Sequence, residues 1–105
     1  MMHTPGLNIA MPATVTDAYV LLKHALKLSD PVVFLEHKML YTLKGELNPG
    51  ASPSWGHAAI LRTGSDFTLV TYSRMVHRSL EAAERLAKLG IKAEVIDLTL
   101  SHIHI

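Results

Sequence analysis

Residues 66–98 read DFTLVTYSRMVHRSLEAAERLAKLGIKAEVIDL, and this stretch decides the fold class. Its first six residues are mostly apolar and β-branched or aromatic, which is typical of a strand. A helix follows, and its apolar face has four residues, Val76, Leu80, Ala83 and Ala87. Gly90 suits the left-handed position that ends a helix. Residues 93–96 then predict a second strand, parallel to the first.

A similar pattern lies upstream, where residues 6–37 read GLNIAMPATVTDAYVLLKHALKLSDPVVFLEH. Residues 7–11 alternate as a short strand does. Thr14 is followed by Asp17 three positions later, which predicts a capping box at the start of a helix. The apolar face of that helix has five residues, Ala18, Leu21, Leu22, Ala25 and Leu26. We expect the helix to end before Pro31, because a residue that precedes proline is disfavoured in the α region.

The remaining runs complete the predicted sheets. Residues 32–35 form a continuous apolar run, which is typical of a parallel strand covered on both faces. The first unit is therefore predicted to be a right-handed parallel crossover. Residues 58–61 and 67–72 flank a turn with Gly64, which predicts an antiparallel hairpin. The predicted fold class is α/β with two partial, mostly parallel sheets.

A segment rich in glycine and proline divides the chain. Residues 45–56 predict a linker between a first unit at residues 1–44 and a second at residues 57–105. Tyr41 and Trp55 are apolar exceptions near or within this connection. We expect them to dock it onto a neighbouring surface.

Composition excludes several classes of function. The chain has 105 residues, a hydrophobic content of 49% and a formal net charge of +1, with its basic residues scattered along the sequence. This balance gives no electrostatic basis for binding nucleic acid or an anionic membrane. Cysteine is absent from the sequence, which excludes disulfides and thiolate chemistry. No apolar run reaches the ~20 residues of a membrane span, and residues 1–5 do not resemble a secretory signal.

Short motifs then follow one another in a recognisable order. Those of the first unit are Pro5-Gly6-Leu7, Met11-Pro12-Ala13-Thr14, Asp17-Ala18, Leu21-Leu22-Lys23, DPVVFLEH at 30–37, Leu40-Tyr41 and Lys44-Gly45-Glu46. Those of the second are Gly64-Ser65-Asp66, TLVTY at 68–72, Val76-His77, LEAA at 80–83 and EVIDL at 94–98. Together they resemble the β subunit of the decarboxylating component of 2-oxo-acid dehydrogenase complexes. That family includes the pyruvate, branched-chain 2-oxo-acid and acetoin dehydrogenases.

The resemblance implies the end of a transketolase-like pyrimidine-binding domain, followed by the start of a transketolase C-terminal-like domain. It implies thiamine diphosphate as cofactor, with magnesium held on a partner α subunit, and a lipoyl acyltransferase as second partner. We expect this chain to be an internal fragment, because the family's cofactor-activating glutamate and substrate histidine lie upstream of its first match. The resemblance therefore assigns it no catalytic and no cofactor-binding residue. The implied location is the cytoplasm, or the mitochondrial matrix in a eukaryote.

One cation site is also implied by the resemblance. Some members of the family hold a structural potassium ion through backbone carbonyls near the end of this helix. The matching positions here are Ala25, Leu28 and Asp30. A plain helix end with its carbonyls facing water is the alternative.

Several histidines and one glutamate are candidate site residues. Glu36 and His37 follow the buried strand, but neighbours in a strand point to opposite faces and cannot enter one pocket. We expect Glu36 to be hydrogen-bonded within its domain. His24 is interpreted as an interface or boundary residue, and His77 as a capping or surface residue. His102 and His104 share a face if extended, but two ligands make a weak metal site.

Two classes of function remain open from the sequence. The chain is either part of a catalytic β subunit, inactive alone, or a non-catalytic remnant or assembly module that keeps subunit interfaces. Another transketolase-like enzyme fits the order of motifs less well. Each unit has about fifty residues and neither a disulfide nor a convincing metal site to stabilise it. We therefore expect self-association if the chain folds alone.

Overall fold

The computed structural model describes residues 6–51 and 55–101, which form two three-stranded sheets. The elements in chain order are β1 (Asn8–Ala10), α1 (Val15–Ala25), β2 (Val32–Phe34), a 3-10 turn (Lys38–Leu40), β3 (Ala59–Arg62), β4 (Phe67–Thr71), α2 (Arg74–Ala87), β5 (Ala93–Asp97) and β6 (Leu100–Ser101). The strand orders are β2-β1-β6 and β3-β5-β4. Each sheet has one parallel and one antiparallel pair, so the α/β class is confirmed with mixed sheets.

The first unit begins as its sequence predicts. β1 and β2 are parallel, with α1 between them in the chain. The capping box is present, since the amide of Asp17 donates to the Thr14 hydroxyl at 3.1 Å and the amide of Thr14 donates to Asp17 Oδ2 at 2.9 Å. These bonds satisfy two amides that the first turn of a helix leaves free.

The expectation that α1 ends before Pro31 is confirmed, since the helix ends at Ala25. Its predicted apolar face is confirmed in part, because Leu21 is buried while Leu26, just after the helix, is 79% exposed. The expectation that β2 is covered on both faces is wrong, because β2 is an edge strand in the described sheet and is only half-buried.

The predicted hairpin between β3 and β4 is also wrong, because β5 lies between them. β3 is antiparallel to β5, and β4 is parallel to it. The turn at residues 63–66 passes over the start of β5. There the amides of Ser65 and Asp66 donate to the carbonyl of Lys92 at 3.1 and 3.0 Å, and Asp66 Oδ2 accepts from the Lys92 amide at 2.6 Å. A turn that spans an inserted strand has the same sequence signature as a turn that joins adjacent strands.

Helix α2 covers one face of the second sheet. Its core consists of Ala83 from the helix and Ala93 and Val95 from β5, with three half-buried leucines around them, Leu69, Leu80 and Leu86. Gly90 has φ +81, so the predicted left-handed residue after the helix is confirmed. The small side chains at the centre let the helix lie close to the sheet.

Strand β6 connects the two sheets. It follows β5 in the chain, yet it pairs with β1 of the first sheet, opposite Ile9 and Ala10. The predicted division at residues 45–56 stays a prediction. Within the described ranges, no helix combines the length and apolar character needed to cross a bilayer.

We expect the substitution Gly64→Ala to destabilise the chain by about 1–3 kcal/mol, as overpacking against a fixed backbone does. A Cβ at this position would overlap the backbone of Ala93 and Glu94. The free energy of unfolding from urea denaturation measures the effect. Gly50→Ala is the matched control, because the nearest atom to its Cβ is 3.6 Å away. Equal stability of the two variants would contradict the close crossing of this turn over β5.

Candidate functional site

Two loops meet at the carboxyl edge of the first sheet. β1 and β2 are parallel, so the segments that follow them leave the sheet on the same side. Between these segments lies a cavity of about 220 Å³. Its lining is mostly apolar and comprises Pro12, Ala13, Thr14, Val15, Ala18, Glu36, His37, Leu40, Tyr41 and Leu43. We call it the edge cavity.

Glu36 is the one carboxylate of this lining, and it is hydrogen-bonded within the first unit as predicted. The Tyr41 hydroxyl donates to Glu36 Oε2 at 2.8 Å. This hydrogen bond and the negative charge of Glu36 raise the pKa of Tyr41, because both oppose formation of the phenolate. The Tyr41 hydroxyl therefore keeps its proton and acts as the donor of this pair.

The expectation that Glu36 and His37 cannot enter one pocket is wrong. β2 ends at Phe34, so neither residue follows the alternation of a strand, and both line the edge cavity. His37 Nδ1 accepts a hydrogen bond from the Met39 amide at 3.2 Å. Because a backbone amide is always a donor, the proton of a neutral His37 ring lies on Nε2.

His37 also lines a second, larger cleft, which extends to the start of α2. The volume of this cleft is about 480 Å³. Its described lining comprises His37, Tyr72, Ser73, Arg74, Met75 and Arg78. We call it the basic cleft. It draws one residue from the first unit and five from the second, which the predicted linker separates in sequence.

Next to the β1–β6 pairing, the described residues form a junction between the two units. We define this junction by five of them, Met11, Ala13, His77, Asp97 and Thr99. The Met11 amide donates to the Thr99 carbonyl at 2.8 Å, and His77 Nε2 lies 2.8 Å from the Ala13 carbonyl. Since a carbonyl only accepts, His77 Nε2 carries a proton. The interpretation of His77 as a capping or surface residue is therefore wrong, because the side chain bridges the units.

Asp97 is the buried charge of this junction and is 2% exposed. Burial raises the pKa of Asp97 from 3.8 to about 6. The Thr99 amide, which donates to Asp97 Oδ1 at 3.0 Å, has the opposite effect and lowers this pKa. The charge of Asp17 raises this pKa further, and that of His77 lowers it. The hydrogen bond holds Thr99 in the left-handed region, at φ 43, where its carbonyl reaches Met11.

The predicted potassium ligands remain a prediction. Ala25 is the last residue of α1, and its carbonyl accepts a hydrogen bond from the Leu28 amide at 3.2 Å. One lone pair of that carbonyl is thereby used, and a carbonyl has two. Asp30 lies just before β2. Across the described residues, no three side chains of His, Asp or Glu converge as a metal site.

A ring contact between Trp55 and His24 tests the expectations for these two residues. Trp55 docks the connection onto the first unit, where its ring centroid lies 4.7 Å from that of His24 and its side chain packs against Ala10 and Leu21. His24 is therefore a boundary residue, as interpreted. His102 and His104 lie outside the described residues.

Comparison with known proteins bears out the resemblance. Residues 56–101 match the transketolase C-terminal domain family. Over 97 residues the chain is 52% identical to the β subunit of acetoin:2,6-dichlorophenolindophenol oxidoreductase from Cupriavidus necator, covering 91% of this chain and 29% of that protein. It is 50% identical to the 2-oxoisovalerate dehydrogenase β subunit of Bacillus subtilis, over 91% of this chain and 30% of that one. The chain is homologous to the β subunits of 2-oxo-acid dehydrogenases.

The match to these β subunits covers a segment of them. This chain spans about 30% of the length of the curated relatives that it matches. A third such relative, the B. subtilis pyruvate dehydrogenase E1 β subunit, is 45% identical over 90% of this chain. Among solved structures, a split-gene transketolase described as an inactive β4 tetramer aligns with a TM-score of 0.77 and 25% identity, over 94% of this chain and 32% of that one. A Pichia stipitis transketolase with fructose 6-phosphate aligns with a TM-score of 0.71 and 20% identity, over 93% and 15%, and supports the fold.

No sequence pattern marks the junction of this β-subunit homologue, but one marks the basic cleft. A hydrogen bond from His77 to a backbone carbonyl requires no particular residue at position 13. Arg74 and Arg78, in contrast, are four positions apart near the start of a predicted helix, where basic residues are disfavoured. That pattern would have directed attention to an anion at this end of α2.

The raised pKa of Asp97 predicts a pH-dependent stability. The folded chain binds a proton at Asp97 more tightly than the unfolded chain, so this group makes folding less favourable as the pH rises from about 4 to about 6. Below that window the penalty is absent, and above it the penalty is complete. Asp97→Asn keeps an acceptor for the Thr99 amide and removes the charge. We expect its stability relative to the parent chain to increase by about 1–3 kcal/mol between pH 4 and pH 7.

Urea denaturation at a series of pH values measures this difference. The exposed Glu84 lies on the outer face of α2, and Glu84→Gln is the control for loss of one carboxylate. An Asp97→Asn variant whose stability parallels the parent chain across the window would show that Asp97 does not titrate there.

Proposed function

We propose that this chain acts as part of the β subunit of a thiamine-diphosphate-dependent 2-oxo-acid dehydrogenase and is inactive alone. In the complete assembly the reaction is oxidative decarboxylation of pyruvate or a related 2-oxo acid, with transfer of the acyl group to a lipoyl group. Identity of 45–52% to three such β subunits over about nine-tenths of the chain carries this proposal.

The described residues do not fit the diphosphate of the cofactor. The edge cavity has a volume of about 220 Å³ and a mostly apolar lining, and its described lining contains no lysine or arginine. Its one carboxylate, Glu36, already accepts the Tyr41 hydroxyl. The basic cleft has no carboxylate in its described lining for the magnesium ion that accompanies a diphosphate. We therefore assign no catalytic step to these residues, and propose that the diphosphate and the magnesium ion are held by an α subunit.

The second candidate is a non-catalytic assembly module that keeps subunit interfaces. A row of aliphatic side chains favours an interface role in either case. Ile60, Ile96 and Val70 lie opposite one another across β3, β5 and β4, with Ile60 61% and Val70 60% exposed. Val95, the neighbour of Ile96, faces α2, so the aliphatic row lies on the uncovered face of the sheet.

The proposed partners are the α subunit and the lipoyl acyltransferase, and a second copy of this chain when neither is present. The proposed location is the cytoplasm or, in a eukaryote, the mitochondrial matrix. A potassium ion on the carbonyls of Ala25, Leu28 and Asp30 remains part of the proposal.

Reconstitution with a related α subunit separates the two candidates. The full chain is mixed with the α subunit of the B. subtilis pyruvate dehydrogenase, thiamine diphosphate and Mg²⁺. Reduction of dichlorophenolindophenol is then followed with pyruvate, 2-oxoisovalerate or acetoin. We expect no turnover from the chain alone and a stable complex with the α subunit. Cofactor-dependent dye reduction by that complex would favour the catalytic subunit.

Each outcome of the reconstitution bears on one candidate. A complex that forms without turnover would favour the assembly module over the catalytic subunit. If the chain co-purifies with none of the α subunits of the three relatives, both candidate functions are contradicted. Omission of thiamine diphosphate is the control for background reduction of the dye.

Self-association through the aliphatic row can be tested on the chain alone. We expect sedimentation velocity to show a dimer or larger species, because covering Ile60 and Val70 removes apolar surface from water. Val70→Lys should shift the chain to monomer, since it places a charge in the contact. Leu89→Lys is the matched control, because Leu89 is exposed beyond the end of α2, away from this face. A monomeric parent chain would exclude this mode of association.

A further inference from the structure

The basic cleft has an unusual arrangement of charge at the start of α2. Arg74 is the first residue of the helix, and its first turn has no acidic side chain. Positive groups at a helix N-terminus are unfavourable, because the backbone amides there already give a partial positive charge. The N-cap residue, Ser73, does not supply its side chain as a capping acceptor. This end of the helix therefore lacks the negative group that usually balances it.

Arg74 is half-buried, and it has no hydrogen bond or ion pair to any described residue. A guanidinium group has five donors in a planar fork that matches the two oxygens of a carboxylate or phosphate. An oxyanion in the cleft would accept from these donors and neutralise the charge of Arg74.

Two further groups in the cleft can serve the same ligand. Arg78 lies one turn after Arg74 on the same face of α2, and it shares an exposed ion pair with Glu81 at 3.1 Å. His37 reaches the cleft from the first unit, with Nδ1 occupied by the Met39 amide. Its Nε2–H is thus a donor at any protonation state of the ring. Arg74 is the group with no competing carboxylate.

We propose that the basic cleft binds a small oxyanion, a phosphate or a carboxylate, between Arg74, Arg78 and His37. Arg74 forms the charge-assisted contact that matters most, and the Nε2–H of His37 closes the site from the other unit. The α2 N-terminus adds its partial charge to these side chains. This site is independent of the proposed dehydrogenase function, and it joins both units around one ligand.

Titration of the full chain with inorganic phosphate or with acetate tests this site. Backbone amide and arginine Nε signals are followed by NMR at pH 7. The ionic strength is kept constant by replacing chloride with the titrated anion. We expect saturable shifts centred on the amides of residues 74–76 and on the His37 ring. The tighter of the two anions identifies the head group of the ligand.

Variants on one face of α2 provide the controls. Arg74→Gln should weaken binding about tenfold or more, as expected for loss of a hydrogen bond between charged groups. Arg85→Gln removes the same charge from the exposed far end of the helix and should change affinity less than about twofold. Arg74→Lys keeps the charge but loses the fork, and should give intermediate affinity with an unchanged fold.

Three outcomes would overturn the proposal. They are shifts that grow linearly without saturation for both anions, shifts that chloride reproduces, and equal weakening by Arg74→Gln and Arg85→Gln. The first two show non-specific ion effects, and the third shows dependence on net charge alone. Because the parent chain is measured directly, the proposal stays testable even if a variant fails to fold.

Discussion

The structure depends on the hydrogen bond between the buried carboxylate of Asp97 and the Thr99 amide. That bond fixes a left-handed residue, Thr99, two positions after the end of β5, where the chain turns away from the second sheet. The Thr99 carbonyl then meets Met11, and β6 joins β1. A left-handed conformation costs a non-glycine residue about 1–3 kcal/mol, so it persists only where the surroundings hold it. Here Asp97 holds it, and the two units are connected as a result.

The junction explains how both units can contribute to one surface. His77 extends from α2 to the Ala13 carbonyl, and this contact fixes the start of α2 beside the carboxyl edge of the first sheet. His37, at that edge, therefore faces Arg74 across the basic cleft. Alignment of 94% of the chain with a split-gene transketolase at a TM-score of 0.77 extends over both units. The arrangement is thus shared with a larger protein of this fold.

Local features of the fold were predictable from the sequence, and spatial ones were not. The capping box of Thr14 and the left-handed Gly90 depend on residues within one turn of the chain, so spacing alone reveals them. The insertion of β5 between β3 and β4 was missed, because hydrophobic pattern does not report which strands pair. The basic cleft was missed, because the spacing of Arg74 and Arg78 puts two basic residues at the start of α2 but does not show that His37 of the first unit meets them.

The position of β5 in the second sheet has a kinetic consequence. Neither β3 nor β4 has a partner within the sheet until β5 arrives, more than twenty residues after β4 ends. The conformational entropy of closing such a loop is lost before the strands gain any free energy from pairing. Sheets with non-local pairing are therefore slow to form. On the ribosome, both strands would leave the exit tunnel with free edges and wait for the segment behind them. Chaperone demand during synthesis would accordingly concentrate on the interval between emergence of β3 and release of β5.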